Sequence, residues 1–125
     1  MLKHTHHIAI ICSHREKELD FYEKKLGFAV TKLVERPQQN DVLIMLRSGD
    51  IVLELFIKPD APRRVNAPEA LGLRHLAFRV DNVDEAAAWL NSRGVATEPV
   101  RDDPINGGRF TFFRDPDGLP LELHE

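Results

Sequence analysis

Hydrophobic and polar positions follow the same succession of patterns twice along the chain. Each half opens with alternating apolar and polar residues, continues with apolar residues at spacings of three and four, and ends with further alternating stretches. Alternation with period two predicts β-strands, and spacings of three and four predict an amphipathic helix. We therefore expect two tandem βαβββ modules and an α+β fold class.

The first module is predicted to span about residues 4–57. Leu19, Tyr22 and Leu26 form one apolar stripe, which indicates a helix that starts after Ser13 and ends near Lys25. Strands are expected on either side of this helix. They are strand 6–11, strand 28–34 and a hairpin of strands 42–46 and 51–57 that turns at 48–50.

The second module is predicted to span about residues 73–125. A stretch with three prolines and few large apolar residues precedes it, so residues 58–72 are the expected linker within a single domain of residues 1–125. The helix is expected to be capped by Asp81 or Asn82 and to end at Ser92. The other expected elements are strand 74–80, strand 95–100, a loop over 101–108 and a hairpin of strands 109–114 and 119–124.

A histidine and a glutamate occupy the same place in each module. His7 begins the run His-Ile-Ala-Ile, and His75 begins the run His-Leu-Ala-Phe. Glu54 and Glu122 each lie at the centre of a Leu-Glu-Leu triplet. In both modules the glutamate lies 47 positions after the histidine. The repetition indicates a duplicated unit that carries one His–Glu pair in each copy.

The alternate positions of these four strands are all apolar. They are Ile8, Ile10, Leu53, Leu55, Leu76, Phe78, Leu121 and Leu123. This face is predicted to pack against the helices, because burial of such a side chain contributes about 1.5–3 kcal/mol. The histidines and glutamates are then directed to the helix-free side, where two imidazoles and two carboxylates that converge are typical of a divalent-metal site. The predicted metal ligands are His7, Glu54, His75 and Glu122.

The alternative interpretation is that the histidines are ordinary core residues and the glutamates form surface ion pairs. A single histidine of this kind would favour it, whereas repetition at one interval on one face favours metal binding. The other histidines have no counterpart in the opposite module and are predicted to be surface residues: His4, His6, His14 and His124.

Composition excludes several other functions. The formal net charge of −3 at pH 7 gives no basic surface for nucleic acid. No apolar run approaches the ~20 residues that a membrane span needs, and no signal peptide is expected. The single cysteine, Cys12, cannot form an internal disulfide, which indicates a cytoplasmic protein.

The chain resembles members of the vicinal oxygen chelate superfamily, which includes glyoxalase I, extradiol dioxygenases, fosfomycin-resistance proteins and methylmalonyl-CoA epimerase. The resemblance covers nearly the whole chain. It is carried by the two histidine strands, the two Leu-Glu-Leu triplets, the segment Phe21-Tyr22…Leu26-Gly27-Phe28 and the turn Asp115-Pro-Asp-Gly118. It implies that the modules form an open, cleft-bearing mixed β-barrel with the helices on the outside and the metal in the cleft.

The resemblance also implies the chemistry of the site. Dioxygenase and fosfomycin-resistance members are implied to use two histidines and one glutamate, with the place of Glu54 non-ligating. A ligand at Glu54 is closer to glyoxalase I, which implies a lyase or isomerase acting on a small 2-hydroxy or 2-oxo carbonyl substrate. One divalent transition metal per site (Zn, Ni, Co, Mn or Fe) would act as a Lewis acid on an enediolate-like oxygen pair. A glutamate, Glu54 or Glu122, would move the proton.

Two positions depart from the glutathione-dependent members. Those members carry an Arg four residues after the first ligand and an Asn four residues after the second, where this chain has Ile11 and Lys58. The departures disfavour a thiol cofactor. Four polar residues border the two loops and are candidates for binding an anionic substrate, with solvated surface charge as the alternative: Arg36, Arg101, Asn106 and Arg109.

Two other functions stay open at this point. One is an iron-dependent dioxygenase of the same fold, and the other is a non-catalytic protein that binds an antibiotic, as bleomycin-resistance proteins do. Binding-only members typically lose the metal ligands, and this chain retains all four. The resemblance further implies a homodimer with a small-molecule substrate, and the sequence leaves open whether the site lies within one chain or is shared by two.

Overall fold

The strands form two four-stranded sheets with the same order of neighbours. In the computed structural model, which describes residues 1–125, the chain divides into two units, Met1–Pro62 and Arg63–Glu125. Each unit holds one open sheet, in which the first strand pairs in parallel with the last and the other neighbours are antiparallel. The predicted α+β class with two βαβββ modules is confirmed.

The first unit contains one helical segment and four strands in the order β1-β4-β3-β2. Its elements are β1 (Ile8–Cys12), α1 (Arg15–Glu18), a π-helical continuation (Leu19–Lys25), β2 (Ala29–Arg36), a 3₁₀ turn (Pro37–Gln39), β3 (Asp41–Ser48) and β4 (Ile51–Ile57). The helix begins later than predicted, with His14 at the N-cap position. Gly27 has a φ of 82° and ends it, because only glycine adopts this left-handed conformation without strain.

The second unit contains one regular helix and four strands in the order β5-β8-β7-β6. Its elements are β5 (Leu76–Arg79), α2 (Val83–Ser92), β6 (Arg101–Asp102), β7 (Arg109–Arg114) and β8 (Pro120–His124). The helix starts as predicted, because the side chain of Asn82 accepts a hydrogen bond from the backbone N–H of Glu85 at 3.0 Å. Neither helical segment of the chain has the length and apolar character that a membrane crossing requires.

The prediction of a strand over residues 95–100 is wrong. The backbone N–H of Glu98 donates to the carbonyl of Phe112 at 2.9 Å, but the Glu98 carbonyl accepts from the hydroxyl of Thr111 at 2.6 Å. Pro99 follows and has no N–H to donate, so the ladder cannot continue there. Regular pairing resumes only at Arg101, inside the segment that was predicted to be a loop.

The alternate positions of the central strands form the core of each unit, as the apolar pattern predicts. Leu53 and Leu55 are fully buried in β4, and Leu121 is fully buried in β8. From α2, Val83 and Leu90 are also buried, because they lie on the apolar stripe of that helix. The opposite face of each central strand is the one that carries its glutamate.

The proline-containing segment 58–72 includes the boundary between the two units. On the side of the first unit, the backbone N–H of Lys58 donates to the Cys12 carbonyl at 2.8 Å. On the side of the second unit, Nδ2 of Asn66 donates to the carbonyl of Gly118 at 2.8 Å. The segment is therefore tied by hydrogen bonds to the unit on each side of the boundary.

Candidate metal centre

In the first unit, the strand register brings His7 beside Glu54. β1 and β4 are parallel with Ala9 opposite Glu54, and His7 lies two residues before Ala9, which places it on the same face. Nε2 of His7 is 2.6 Å from Oε2 of Glu54. Parallel pairing of the two strands thus holds an imidazole against a carboxylate.

The second unit repeats this arrangement. β5 and β8 are parallel with Ala77 opposite Glu122, and His75 lies two residues before Ala77. Nε2 of His75 is 2.8 Å from Oε2 of Glu122. In both units the strand begins one residue after the histidine, which is later than predicted. The duplication seen in the sequence therefore extends to the contact between the two side chains.

The carboxylates are the more buried members of the two pairs. The side chains of Glu54 and Glu122 are 15% and 11% exposed, whereas those of His7 and His75 are 40% and 25% exposed. No lysine or arginine lies within ion-pair distance of either carboxylate. Because a carboxylate of low exposure is costly without a counter-charge or a metal, each glutamate has the capacity to bind a further cation.

The second nitrogen of each imidazole also has a partner. Nη1 of Arg74 lies 3.2 Å from Nδ1 of His75, and a guanidinium can only donate, so Nδ1 is the acceptor. Nε2 of His75 then carries the proton and donates to Glu122. In the first unit, Nδ1 of His7 lies 2.8 Å from Nδ1 of His6. The Nε2 atoms are therefore the ones that face the carboxylates, and a metal would replace their protons.

Arg36, a candidate substrate-binding residue, is held by a buried carboxylate. Its Nε and Nη2 donate to the two oxygens of Asp41 at 2.8 and 2.7 Å, and Nζ of Lys58 donates to Asp41 at 2.9 Å. The guanidinium carbon also lies 5.3 Å from the centre of the Phe56 ring. Two cations thus share one anion at the end of the first sheet. The sequence did not reveal this cluster.

We expect Asp41 to make the protein sensitive to acid. Hydrogen bonds from Arg36 and then Lys58 lower the pKa of Asp41 from 3.8 to about 2. A carboxyl whose pKa is depressed by folding stabilises the native state above its unfolded pKa, and this contribution is lost as the pH falls from about 4 towards about 2. In Asp41→Asn, the melting temperature at pH 7 should be lower and its further decline between pH 4 and pH 2 smaller. Parallel declines in calorimetry would contradict this role.

Arg101 lies on the same face of the second sheet as Glu122. Its guanidinium carbon is 4.9 Å from the centre of the Phe110 ring and 5.9 Å from that of Phe112. Nη2 of Arg101 also donates to Oε1 of Glu98 at 3.1 Å. The guanidinium is therefore stacked on aromatic rings and is not simply solvated.

The two remaining substrate-binding candidates have other partners. Nδ2 of Asn106 donates to Asp103 at 3.2 Å, within its own loop. Arg109 precedes Phe110 in β7, so it lies on the face opposite to Glu122, where its Nη1 donates to Asp84. Neither contact places the side chain at a His–Glu pair.

His124 is not the free surface residue that the sequence predicted. Its imidazole is about one fifth exposed, and Nε2 lies 2.9 Å from Oδ2 of Asp103. The hydrogen bond to Asp103 raises the pKa of His124. The ring also stacks on Phe110, with centroids 6.1 Å apart and an interplanar angle of 10°. Sequence comparison of the modules missed this histidine because its counterpart in the first module is Phe56.

The positions that depart from the glutathione-dependent pattern line an open cavity of about 520 Å³ in the first unit. Ile11, about half exposed, and Lys58 both contribute to its wall, together with Gln39 and Asn40. An isoleucine offers no hydrogen bond there, and the ammonium of Lys58 is directed to Asp41. The cavity wall therefore has no arginine, and its asparagine is Asn40 rather than a residue at position 58.

Two modules of identical topology, each with a His–Glu pair at the same place, define a duplicated βαβββ protein of the vicinal oxygen chelate type. The model of the Glyoxalase/Bleomycin resistance protein/Dioxygenase superfamily matches residues 4–123, and the chain belongs to that superfamily. The resemblance drawn from the sequence motifs is thus confirmed. Members of the superfamily typically bind a divalent metal.

Individual relatives agree with this assignment. The chain is 52% identical over 126 residues to the uncharacterized protein YwkD of Bacillus subtilis (strain 168), a match that covers 100% of this chain and 98% of YwkD. The crystal structure of a glyoxalase family protein from Enterococcus faecalis superposes with a TM-score of 0.95 at 50% identity and covers 98% of both chains. A lactoylglutathione lyase of Escherichia coli O157:H7 is 30% identical over 115 residues, which are 88% of this chain and 83% of the lyase.

Proposed function

We propose that the protein is a metal-dependent lyase or isomerase of the glyoxalase I type, which acts on a small 2-hydroxy or 2-oxo carbonyl compound by proton transfer. The observation that carries the proposal is that Glu54, as well as Glu122, lies against an imidazole. The three-ligand branches of the superfamily have no need of a glutamate at position 54. Similarity to a lactoylglutathione lyase over most of the chain supports the same class.

The proposed metal ligands are His7, Glu54, His75 and Glu122. Imidazole nitrogens and carboxylate oxygens suit divalent Zn, Ni, Co, Mn and Fe. The absence of a competing lysine or arginine at either carboxylate supports this assignment. When bound, the metal would supply a Lewis acid that polarises substrate oxygens. The four ligands come from one chain or from two chains of a dimer.

The glutamates are the proposed proton-transfer groups, and the histidines position them. A carboxylate in contact with the substrate can take a proton from the carbon beside a carbonyl and return it to the neighbouring carbon. The residues next to the glutamates in the parallel strands are Ala9 and Ala77, whose side chains are small and exposed and do not cover the carboxylates from that side. Contacts of 2.6 and 2.8 Å to the imidazoles fix the orientation of the carboxylates.

Glutathione is not part of the proposed substrate. Ile11 and Lys58 line the cavity where a glutathione-dependent member is implied to carry an arginine and an asparagine. We therefore expect the protein to act on the free carbonyl compound rather than on its thiol adduct.

Hydrogen exchange with the solvent tests the proposed function. Protein loaded with one of the five metals at a time is incubated in deuterated water with 2-hydroxy and 2-oxo carbonyl compounds, with and without glutathione, and the substrates are followed by proton NMR. We expect deuterium to enter at the carbon beside the carbonyl without glutathione. Metal-stripped protein is the matched control. Absence of exchange with every metal and compound would contradict the proposal and favour a protein that only binds its ligand.

The proposed assembly is a homodimer. Each sheet has two edge strands whose outer sides are unpaired within that sheet, β1 and β2 in the first unit and β5 and β6 in the second. Open edges and the family resemblance both favour association with a second chain. Light scattering at micromolar concentration should give twice the mass of one chain, and the mass of a single chain would contradict a shared site.

A further inference from the structure

Two phenylalanine rings form an aromatic platform, Phe110 and Phe112, on the face of the second sheet that carries Glu122. Phe112 lies opposite Glu122 in the register of β7 and β8, and Phe110 is two residues before it. The residue between them, Thr111, is fully buried on the other face. The two rings meet edge to face with centroids 5.9 Å apart. The platform is therefore part of the surface around the His75–Glu122 pair.

The platform orients the guanidinium of Arg101. β6 places Arg101 opposite Phe110, and the guanidinium carbon lies over both rings at 4.9 and 5.9 Å. Stacking of a planar guanidinium on aromatic faces restricts its orientation and leaves its N–H groups directed outwards. A solvated arginine would not have this restriction.

The same rings connect Arg101 to the proposed centre. The centroid of Phe112 is 5.0 Å from that of the His75 imidazole, at an interplanar angle of 90°. One aromatic ring therefore separates the guanidinium from the imidazole whose Nε2 faces Glu122. A ligand that spans this ring would reach both groups at once.

The carboxylates near Arg101 do not form a strong ion pair with it, so its guanidinium is available to a ligand. Its ion-pair partner Glu98 accepts only from Nη2, and both side chains are nearly half exposed, so this pair is weak. Asp102, the next residue, lies on the other face of β6, where its Oδ1 is 3.9 Å from Nε of Arg109. Asp103 is paired with His124 and with amides of its own loop. A ligand carboxylate can therefore bind the remaining N–H groups of Arg101 without displacing a strong pair.

We propose that Arg101 binds a carboxylate of the substrate, so that the protein acts on small oxo or hydroxy acids in preference to neutral carbonyl compounds. This inference rests on the proposed function, because it takes the reacting carbon to lie at the His75–Glu122 pair. A guanidinium fork matches a carboxylate with two parallel hydrogen bonds. The Phe112 ring supplies an apolar surface for the carbons between the two ends of the substrate.

Deuterium exchange from the solvent into C3 of 2-oxobutyrate and of its methyl ester tests the proposal, with kcat and KM taken from the rate of exchange. Arg101→Gln should raise KM for the acid about 10- to 100-fold, as expected for loss of a charged hydrogen-bonding partner. It should leave kcat, metal content and the kinetics with the ester close to wild type. Arg101→Lys keeps the charge without the fork and should give an intermediate KM. Equal effects of Arg101→Gln on acid and ester would overturn the proposal.

Arg93 provides a matched control. Its guanidinium carbon lies 4.4 Å from the centre of the Trp89 ring, so it has the same kind of stacking contact, but it follows helix α2 and is not on the face of Glu122. Arg93→Gln should change neither KM nor kcat for either compound. A raised KM for the acid in this variant would show a general charge effect and would count against Arg101 as the specific partner.

A binding experiment separates failure of this inference from failure of the proposed function. Butyrate and butyramide, which cannot serve as 2-oxo or 2-hydroxy substrates, are titrated into the purified protein and followed by NMR. Wild type and Arg93→Gln should bind butyrate at least about tenfold more tightly than butyramide, and Arg101→Gln should lose this preference. If this binding preference is found but no substrate undergoes deuterium exchange, the proposed reaction is contradicted and the carboxylate site is supported. Equal binding of both compounds to wild type would overturn the carboxylate site.

Discussion

Glu122→Gln is expected to remove the metal from the protein. Glutamine has nearly the same shape, but its neutral amide is a poor ligand for a hard divalent cation, so an incomplete site remains. His75→Ala should have the same effect, because Nε2 of His75 faces the same carboxylate at 2.8 Å. Metal analysis of protein purified without a His-tag should find about one divalent ion per site in wild type and little in either variant. Unchanged metal content in both would contradict the ligand assignment.

Adventitious binding by the N-terminal histidines is the main competing explanation for any metal found. The chain begins with a run that contains His4, His6 and His7, and all three are exposed. His4→Ala should retain the metal if the His–Glu pairs hold it and lose it if the N-terminal run does. Circular dichroism of each variant shows whether metal was lost from a folded protein. Light scattering on the same samples relates the metal content to the number of chains in the assembly.

The placement of each histidine and glutamate on one face of the sheet was predictable because it depends on regularities that a sequence displays directly. Strand periodicity assigns a residue to one face, and the repeated 47-residue interval shows that both modules use the same two places. The structure adds the parallel register, with Ala9 opposite Glu54 and Ala77 opposite Glu122, which explains why the imidazole reaches the carboxylate. The metal itself stays a prediction.

The elements that were missed depend on contacts distant in sequence. The short β6 begins only after Pro99 has interrupted the hydrogen-bond ladder to β7. The propensities of residues 95–102 do not reveal which of them pair with β7. The pairing of Asp41 with both Arg36 and Lys58 arises because the ends of three strands meet on one face. The order of charged residues along the chain does not show that these three side chains are close in space.

Two of the four substrate-binding candidates, Arg101 and Arg109, differ in the face of the sheet on which they lie. Arg109 and Phe110 are neighbours in β7, and alternation sends the first to Asp84 and the second to the face of Glu122. The sequence-based prediction chose Arg109 because it borders a loop, without considering on which face of the sheet its side chain lies. Alternation of Phe110 and Phe112 around Thr111 is the signal in the sequence that identifies the aromatic platform, and with it Arg101.

Glu54→Gln is expected to separate proton transfer from folding and, in part, from metal binding. Glu54 is the proposed ligand that distinguishes the isomerase-like pattern from the three-ligand branches, and its carboxylate contacts only the His7 imidazole among charged side chains. A general base contributes roughly 10²–10⁴-fold to a rate, so deuterium exchange into the substrate should fall by that factor while the fold and some metal remain. Glu35→Gln, an exposed glutamate of β2 paired with Arg15, is the matched control and should exchange like wild type. Equal exchange in wild type and Glu54→Gln would remove Glu54 from the chemistry, and absence of exchange in both would favour a protein that binds its ligand without turnover.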